Sequence, residues 1–296
     1  MTKLLKTFSA LFIVTALFLF SCQDKNNETI IKGKASLLVD ESIFPIVEDQ
    51  QAVFETEYDA KLKLITKSEN EIINSLLNDT VRIAVLPRKL SNEELNVFSS
   101  KKINPKITHF ATDAVVFIRN KKSNDTLIAL NDVVDFMKGN VVNGIKGLVF
   151  DNPNSSSVRL ISELSGLKLT PEKNIYSFKT NNEVIKYVAE NDGMIGVVGI
   201  NWLLQAPLDM QKFVDQITVL SVKDNNKEEY IYPSQDNLAQ GKYPLARDLY
   251  IINCQGFSGL GMGFASFISG ERGQRIVLKS GLVPVNYPSR KIMIRK

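Results

Sequence analysis

Ser155, Ser156 and Ser157 stand in a row between an apolar run, Gly147–Phe150, and a segment with Leu160, Ile161, Leu164 and Leu167 at helical spacing. A short strand handing over to an amphipathic helix puts those hydroxyls at a helix N-terminus. Unpaired N–H groups and the positive end of the helix dipole there favour an anion. Each serine adds a hydroxyl donor and Arg159 adds a charge. The simpler alternative is that Asn154 or Ser155 only caps the helix. Three other places share the setting: Asp40-Glu41-Ser42, Pro87-Arg88, and Asp113, an acid inside the apolar run Ala111–Ile118. In open α/β sheets ligands collect beyond the C-terminal ends of strands, close to helix N-termini. The chemistry these residues suit is capture of an oxyanion.

The elements that must position them alternate between strand and helix. Ala35–Val39 reads as a short strand, and Pro45 opens a helix with Ile46, Val47, Val53 and Phe54 on one side. Lys61–Ile65 alternates like a strand, Glu69–Leu77 is helical, and Arg82–Leu86 is a strand. Ser91-Asn-Glu-Glu94 is a capping box for the next helix. Ala111–Ile118 forms a long strand. Asn131 is expected to cap a helix running to Met137 and closed by Gly139. Asn182–Val188 is helical, Gly193–Gly199 and Ile217–Val222 are strands, and 224–240 reads as a polar surface loop. Tyr243–Ile252 returns to strand, Gly263–Ile268 and Glu271–Leu278 form two helices, and Val283–Val285 is a late strand. Such alternation predicts an α/β fold with mostly parallel sheets flanked by helices.

The first 21 residues read as a leader: Lys3 and Lys6, an apolar stretch Ala10–Phe20, then Leu19-Phe20-Ser21-Cys22. That ending is a lipobox, which predicts cleavage before Cys22 and lipidation of its thiol, with 22–33 as a tether. The apolar run is shorter than the roughly 20 residues a transmembrane helix needs. With Cys22 lipidated, Cys254 has no disulfide partner in the chain. The roughly 270 residues that remain suffice for one large domain or two ordinary ones. The net charge is +4, and removal of Lys3 and Lys6 lowers it to +2, too balanced for a nucleic-acid binder. One histidine, His109, placed before a strand, reads as structural and leaves no His/Cys metal cluster. A Gly-x-Ser-x-Gly elbow and a P-loop lysine motif are both missing. A phosphoester hydrolase therefore lacks an evident base, metal or nucleophile, and no cofactor is expected.

The order of these pieces resembles the phosphate-binding lipoproteins of high-affinity phosphate ABC transporters, which are type II periplasmic binding proteins. Asp40-Glu-Ser-Ile-Phe-Pro-Ile46 resembles their first strand–helix turn, and Ala84-Val-Leu-Pro-Arg88 their strand ending in Ser-Arg. Ala111-Thr-Asp-Ala-Val-Val-Phe-Ile118 is similar to Ala-x-Asp-Gly-Ile-Ala-x-Ile, and Asn154-Ser-Ser-Ser157 stands where they carry Gly-Ser-Gly-Thr. Gly193–Gly199, Tyr243-Pro-Leu-Ala-Arg247, Gly273–Val277 and Gly281-Leu-Val-Pro284 resemble later segments in the same order.

The resemblance implies two lobes, 34–116 with 244–296 and 117–243, joined by two crossing strands and closing on a ligand. It implies phosphate or a close oxyanion as ligand, held by Ser42, Arg88, Asp113, Ser155, Ser156, Ser157 and Arg159. It also implies a non-enzymatic monomer, anchored in the cell envelope through Cys22, that serves an ABC permease. Asp113 would accept the proton that phosphate carries and sulfate lacks. Alternatively, Asp113 pairs with an arginine at the hinge, Arg247 being the candidate. The departures are Asp40 and Glu41 where small polar residues are usual, Pro87 for serine, and the loss of two glycines at 154–157. Two acids beside a dianion oppose binding unless they turn away or pair with Arg88 or Arg159. They leave a second expectation, an anchored sensor or scaffold that keeps the fold and binds another ligand or none.

Overall fold

The computed structural model describes residues 28–166, 174–225 and 227–289. The leader, the lipobox with Cys22 and the expected helical Leu167 lie outside the described residues. In chain order the strands are β1 Lys32–Asp40, β2 Asp59–Lys67, β3 Ile83–Leu86, β4 Lys106–Asn120, β5 Leu127–Ala129, β6 Gly147–Phe150, β7 Ile175–Ser177, β8 Met194–Gly199, β9 Ile217–Val219, β10 Ser221–Lys223, β11 Tyr230–Ile231, β12 Ala246–Asn253 and β13 Val283–Pro284. The helices are α1 Phe44–Glu57, α2 Glu69–Leu77, α3 Asn92–Ser100, α4 Leu130–Met137, α5 Ser156–Ser165, α6 Asn181–Glu190, α7 Asn201–Leu204, α8 Gln211–Val214, α9 Gln235–Ala239, α10 Leu260–Ser269 and α11 Glu271–Lys279.

One curled sheet runs β2-β1-β3-β12-β4-β8-β6-β7, with β9 and β13 also pairing onto β4. Its outer strands are parallel: β1 with β2 and β3, and β6 with β7 and β8. Helical crossovers enforce that geometry, because a parallel return needs a long connection. The strands where the halves meet are antiparallel. Up to Ala114, β4 pairs with β12; from Val115 onward it pairs with β8 and β9. The chain crosses a second time just before β12, where Leu245 O accepts from Val115 N–H at 3.0 Å and the Tyr243 phenol donates to Val115 O at 3.0 Å. We call the two parts of the sheet the first half (β1–β3, β12, β13) and the second half (β6–β9).

β3 and β6 are buried at every position, as expected of short apolar strands covered on both faces. From Asp113 to Asn120, β4 is buried throughout. The main core runs unbroken from Ile43 and Ile46 through Val115–Ile118 to Val197 and Ile185, tying both halves together. A smaller cluster of Leu38, Ile72, Leu76, Leu86, Phe98 and Ile252 lies under α2 and α3. Each fully buried aliphatic or aromatic side chain contributes about 1.5–3 kcal/mol.

Three sequence expectations change. Asn131 does not cap α4: Ala129 occupies that position, because pairing of β5 with β10 holds it extended up to the first helical residue. The expected strand Ile217–Val222 is two strands, one on β4 and one on β5, with Leu220 between them bonded to Phe117 O. The polar stretch 224–240 contains β11, antiparallel to β10, and α9, whose first turn is capped by Ser234 accepting from Asn237 N–H at 3.2 Å. Elements this short carry too few apolar residues to show a period.

Candidate functional site

Two strand ends and the two crossing strands converge at one place. β1 ends at Asp40, whose carboxylate Oδ1 accepts from Ser42 N–H at 3.1 Å and so shapes the single 3-10 turn before α1. β6 ends at Phe150; a turn through Asp151 brings Ser155 to the start of α5, where its hydroxyl accepts from Val158 N–H at 3.2 Å. Ser156 is the first helical residue, so its side chain projects from the N-terminal end of α5. Between these turns, Asp113 on β4 lies directly opposite Arg247 on β12.

Arg247 organises the cluster. Its Nη2 and Nε donate to Asp113 Oδ2 at 2.9 and 3.2 Å. The same guanidinium donates through Nη1 to Ser156 Oγ and through Nη2 to Ser42 Oγ, each at 3.0 Å. The two serine oxygens are 3.0 Å apart although one belongs to each half. Both hydroxyls also reach Asp40 Oδ1, Ser156 Oγ at 3.0 Å and Ser42 Oγ at a shorter distance. Ser42, Asp113 and Ser156 are fully buried, and Asp40 is 1 % exposed. Water is thus excluded, which strengthens every charge-assisted bond in the cluster and penalises any that is missing.

Burial pushes the Asp40 carboxyl up to about 6, against the pull of the Arg247 charge and the Ser42 hydroxyl. Asp113 is also raised by burial, with Arg247 opposing. Beside them lie two further buried acids, Glu41 and Asp151. Glu41 is raised well above the carboxylate range, first by burial and then by the Asp151 charge, so it holds a proton at neutral pH. Asn181 binds both: its backbone N–H donates to Glu41 Oε1 at 3.0 Å and its Nδ2 to Asp151 Oδ2 at 3.2 Å. Asn181 Oδ1 accepts from Gly199 N–H at 3.0 Å, and Trp202 Nε1 donates to Glu41 O at 3.1 Å. Gly199 has to be glycine, since a Cβ there would lie 2.3 Å from Ser42 O. Asp40, Glu41 and Asp151, with Lys67, Ser155 and Lys179, line a cavity of about 350 Å³ between the halves.

Of the residues expected at the site, the structure brings together Ser42, Asp113 and Ser156. Ser155 caps α5. Ser157 is fully buried beside them, its hydroxyl without a partner among the described residues. Arg88 and Arg159 are placed otherwise. Both donate from Nε to Glu69 Oε1 at 2.7 Å; Arg88 also forks onto Glu94, and Arg159 donates once more, from Nη1 to Glu163 Oε2. Glu69 is 1 % exposed, so it takes up both guanidinium groups. The arginine in contact with the serines is Arg247, expected only as a hinge partner of Asp113. Asp40 was expected only as a departure beside the site, and Asp151 and Asn181 were missed as members of the cluster. Their only sequence signal is position, just after a strand or at a helix start. His109 lies elsewhere, on β4, with Nε2 at 3.0 Å from Ala111 O. Among the described residues no group of three His, Cys, Asp or Glu side chains could hold a metal ion. The cluster is a set of donors from both halves converging on one buried carboxylate, with Arg247 beside it.

A sequence model of the PBP superfamily domain matches residues 27–272. No curated protein sequence matches the chain. Several solved structures share its fold. One is described as a phosphate ABC transporter substrate-binding protein with bound phosphate, from Clostridium perfringens (19 % identity, TM-score 0.71, covering 86 % of this chain and 100 % of that one). A second is an ABC-type phosphate transport receptor from Vibrio cholerae (15 %, TM-score 0.63, 85 % and 100 %). A third is the CcmR regulatory domain of Synechocystis in complex with 2-PG (12 %, TM-score 0.53, 80 % and 96 %).

Proposed function

The chain belongs to the PBP superfamily, and from that premise we propose that it is a solute-binding protein that captures phosphate or a close oxyanion between its two lobes and delivers it to an ABC permease. The lobes would be 34–116 with 244–296 and 117–243. Cys22 would carry the lipid that holds the protein in the cell envelope, on the periplasmic or cell-surface side. The observation that carries this reading is the meeting of Ser42 and Ser156, 3.0 Å apart and both bonded to Arg247. Neutral hydroxyl donors from both halves, one buried cation and two helix starts suit a tetrahedral anion.

In this reading Arg247 supplies the counter-charge. Asp113 fixes the guanidinium and offers an acceptor that only a protonated anion satisfies. Arg88 and Arg159 act one step away by neutralising Glu69. Phosphate transport receptors share the fold, which is in line with this ligand class. Calorimetric titration of folded, ligand-stripped protein with phosphate and then sulfate tests it. Heat with phosphate and none with sulfate is the expected result. Silence with both would remove the oxyanion.

One observation favours a second reading, an anchored sensor or scaffold. Acids of the chain itself, Asp40 and Glu41, already bridge the two halves. A regulatory domain shares the fold as well.

A further inference from the structure

We propose that Asp40 is a tethered internal anion: its carboxylate takes the hydroxyl donors that an external oxyanion would need, and so sets how tightly the site binds. The inference rests on the oxyanion reading above and deepens it. Each serine hydroxyl carries one proton. Arg247 already donates into both Oγ atoms, so each hydroxyl has its proton free to give, and Asp40 Oδ1 lies within reach of both. The same oxygen accepts from Ser42 N–H. One carboxylate oxygen thus collects an N–H and a hydroxyl from the first half and a hydroxyl from the second. A bound anion that closed the two halves would make the same set of contacts.

The backbone of Asp40 is fixed, being paired with Lys67 at the end of β1. The carboxylate can leave only by rotating. Its second oxygen, Oδ2, is buried and has no partner among the described residues, and the residue lines the 350 Å³ cavity that Lys67 and Lys179 also line. The cavity gives the side chain a place to rotate into, on the side lined by Lys67 and Lys179. An external oxyanion gains Ser42, Ser156 and Arg247 only by driving Asp40 to that position. Like charges a few ångströms apart repel strongly in a buried site, so the two anions exclude each other. Asp40 is then the residue that determines affinity, and it holds the ligand-free protein closed.

The test compares the wild type with Asp40→Ser and Asp40→Asn in calorimetric titrations with inorganic phosphate. Serine keeps an oxygen that can accept from Ser42 N–H, and asparagine keeps the size while losing the charge. Circular dichroism checks that each variant folds. Asp40→Ser is expected to bind phosphate at least tenfold more tightly than the wild type, and Asp40→Asn to move in the same direction. Equal or weaker binding by both variants overturns the proposal and leaves the oxyanion reading standing. If no protein binds phosphate, that reading falls. Small-angle scattering of the ligand-free proteins then decides about Asp40. A larger radius of gyration for Asp40→Ser than for wild type supports the internal bridge, and an unchanged one overturns it.

Discussion

Replacing Arg247 with methionine removes the one cation of the central cluster while keeping a long apolar stem. The loss can be worked from its four bonds. Two go to Asp113 Oδ2, and one each to Ser42 and Ser156. The serine hydroxyls keep Asp40 as a partner, so their share is small. Asp113 is fully buried and would face the core with no opposing charge. Breaking a buried ion pair from one side costs about 3–5 kcal/mol. That is a large part of the 5–15 kcal/mol typical of a whole domain. Urea unfolding at pH 7 should show a lower midpoint with an unchanged slope.

A pH series sharpens the test. Burial already raises Asp113 above its unfolded value, with Arg247 opposing. Without Arg247 the folded-state value rises further, so the folded protein binds a proton that the unfolded chain has released. Stability carried by that proton is present at acidic pH and is lost as pH rises. The deficit of Arg247→Met relative to wild type should therefore be smaller at pH 5 than at pH 8. Adding Asp113→Asn should recover part of the loss, because the uncompensated charge goes with it. A deficit below about 1 kcal/mol, or one that is the same at pH 5 and pH 8, would refute the assigned role of the pair.

Two further outcomes are expected. The wild type should be most stable at mildly acidic pH: Asp40 and Glu41 are both raised by burial, so their contribution is full below the ordinary carboxylate range. It falls as pH climbs through about 6 for Asp40 and continues to fall at higher pH for Glu41. Urea midpoints at pH 5, 7 and 9 should decline in that order; a steady rise would contradict the buried acids. Gly199→Ala should push the halves apart, because its Cβ would meet the backbone oxygen of Ser42 at 2.3 Å, where no side chain can give way. A loss of roughly 1–3 kcal/mol and a larger radius of gyration are expected, and an unchanged scattering profile would count against close contact at this point.

Local features were legible where the signal was local. Ser91 and Glu94 form the reciprocal cap that their spacing announces, with Glu94 N–H to Ser91 Oγ at 3.2 Å and Ser91 N–H to Glu94 Oε2 at 2.7 Å. Pro45 sits in the first turn of α1, where its missing N–H costs nothing. Ser155 caps α5, one of the two residues expected to do so. Asp113 stood out because an acid in an apolar strand must find a partner in the core. The short β5, β7 and β11 and the helices α7 and α8 were missed, because two to four residues give neither period.

The sequence alone determined the alternation of strand and helix, the hydroxyl-rich start of α5 and the need for a partner at Asp113, since each follows from residues within a few positions of one another. Arg247 was already a candidate for that partner, but only the tertiary structure decided that it also holds both serines. Arg247 lies 134 residues away and reaches Asp113 only through the antiparallel register of β12 on β4, which no local pattern encodes. Tertiary structure also turned Arg88 and Arg159 onto Glu69 and turned Asp40 inward onto Ser42 and Ser156. The direction of a charged side chain at the end of a strand depends on which opposite charge the other elements bring within a few ångströms, and that is settled only when the sheet curls and the two halves meet.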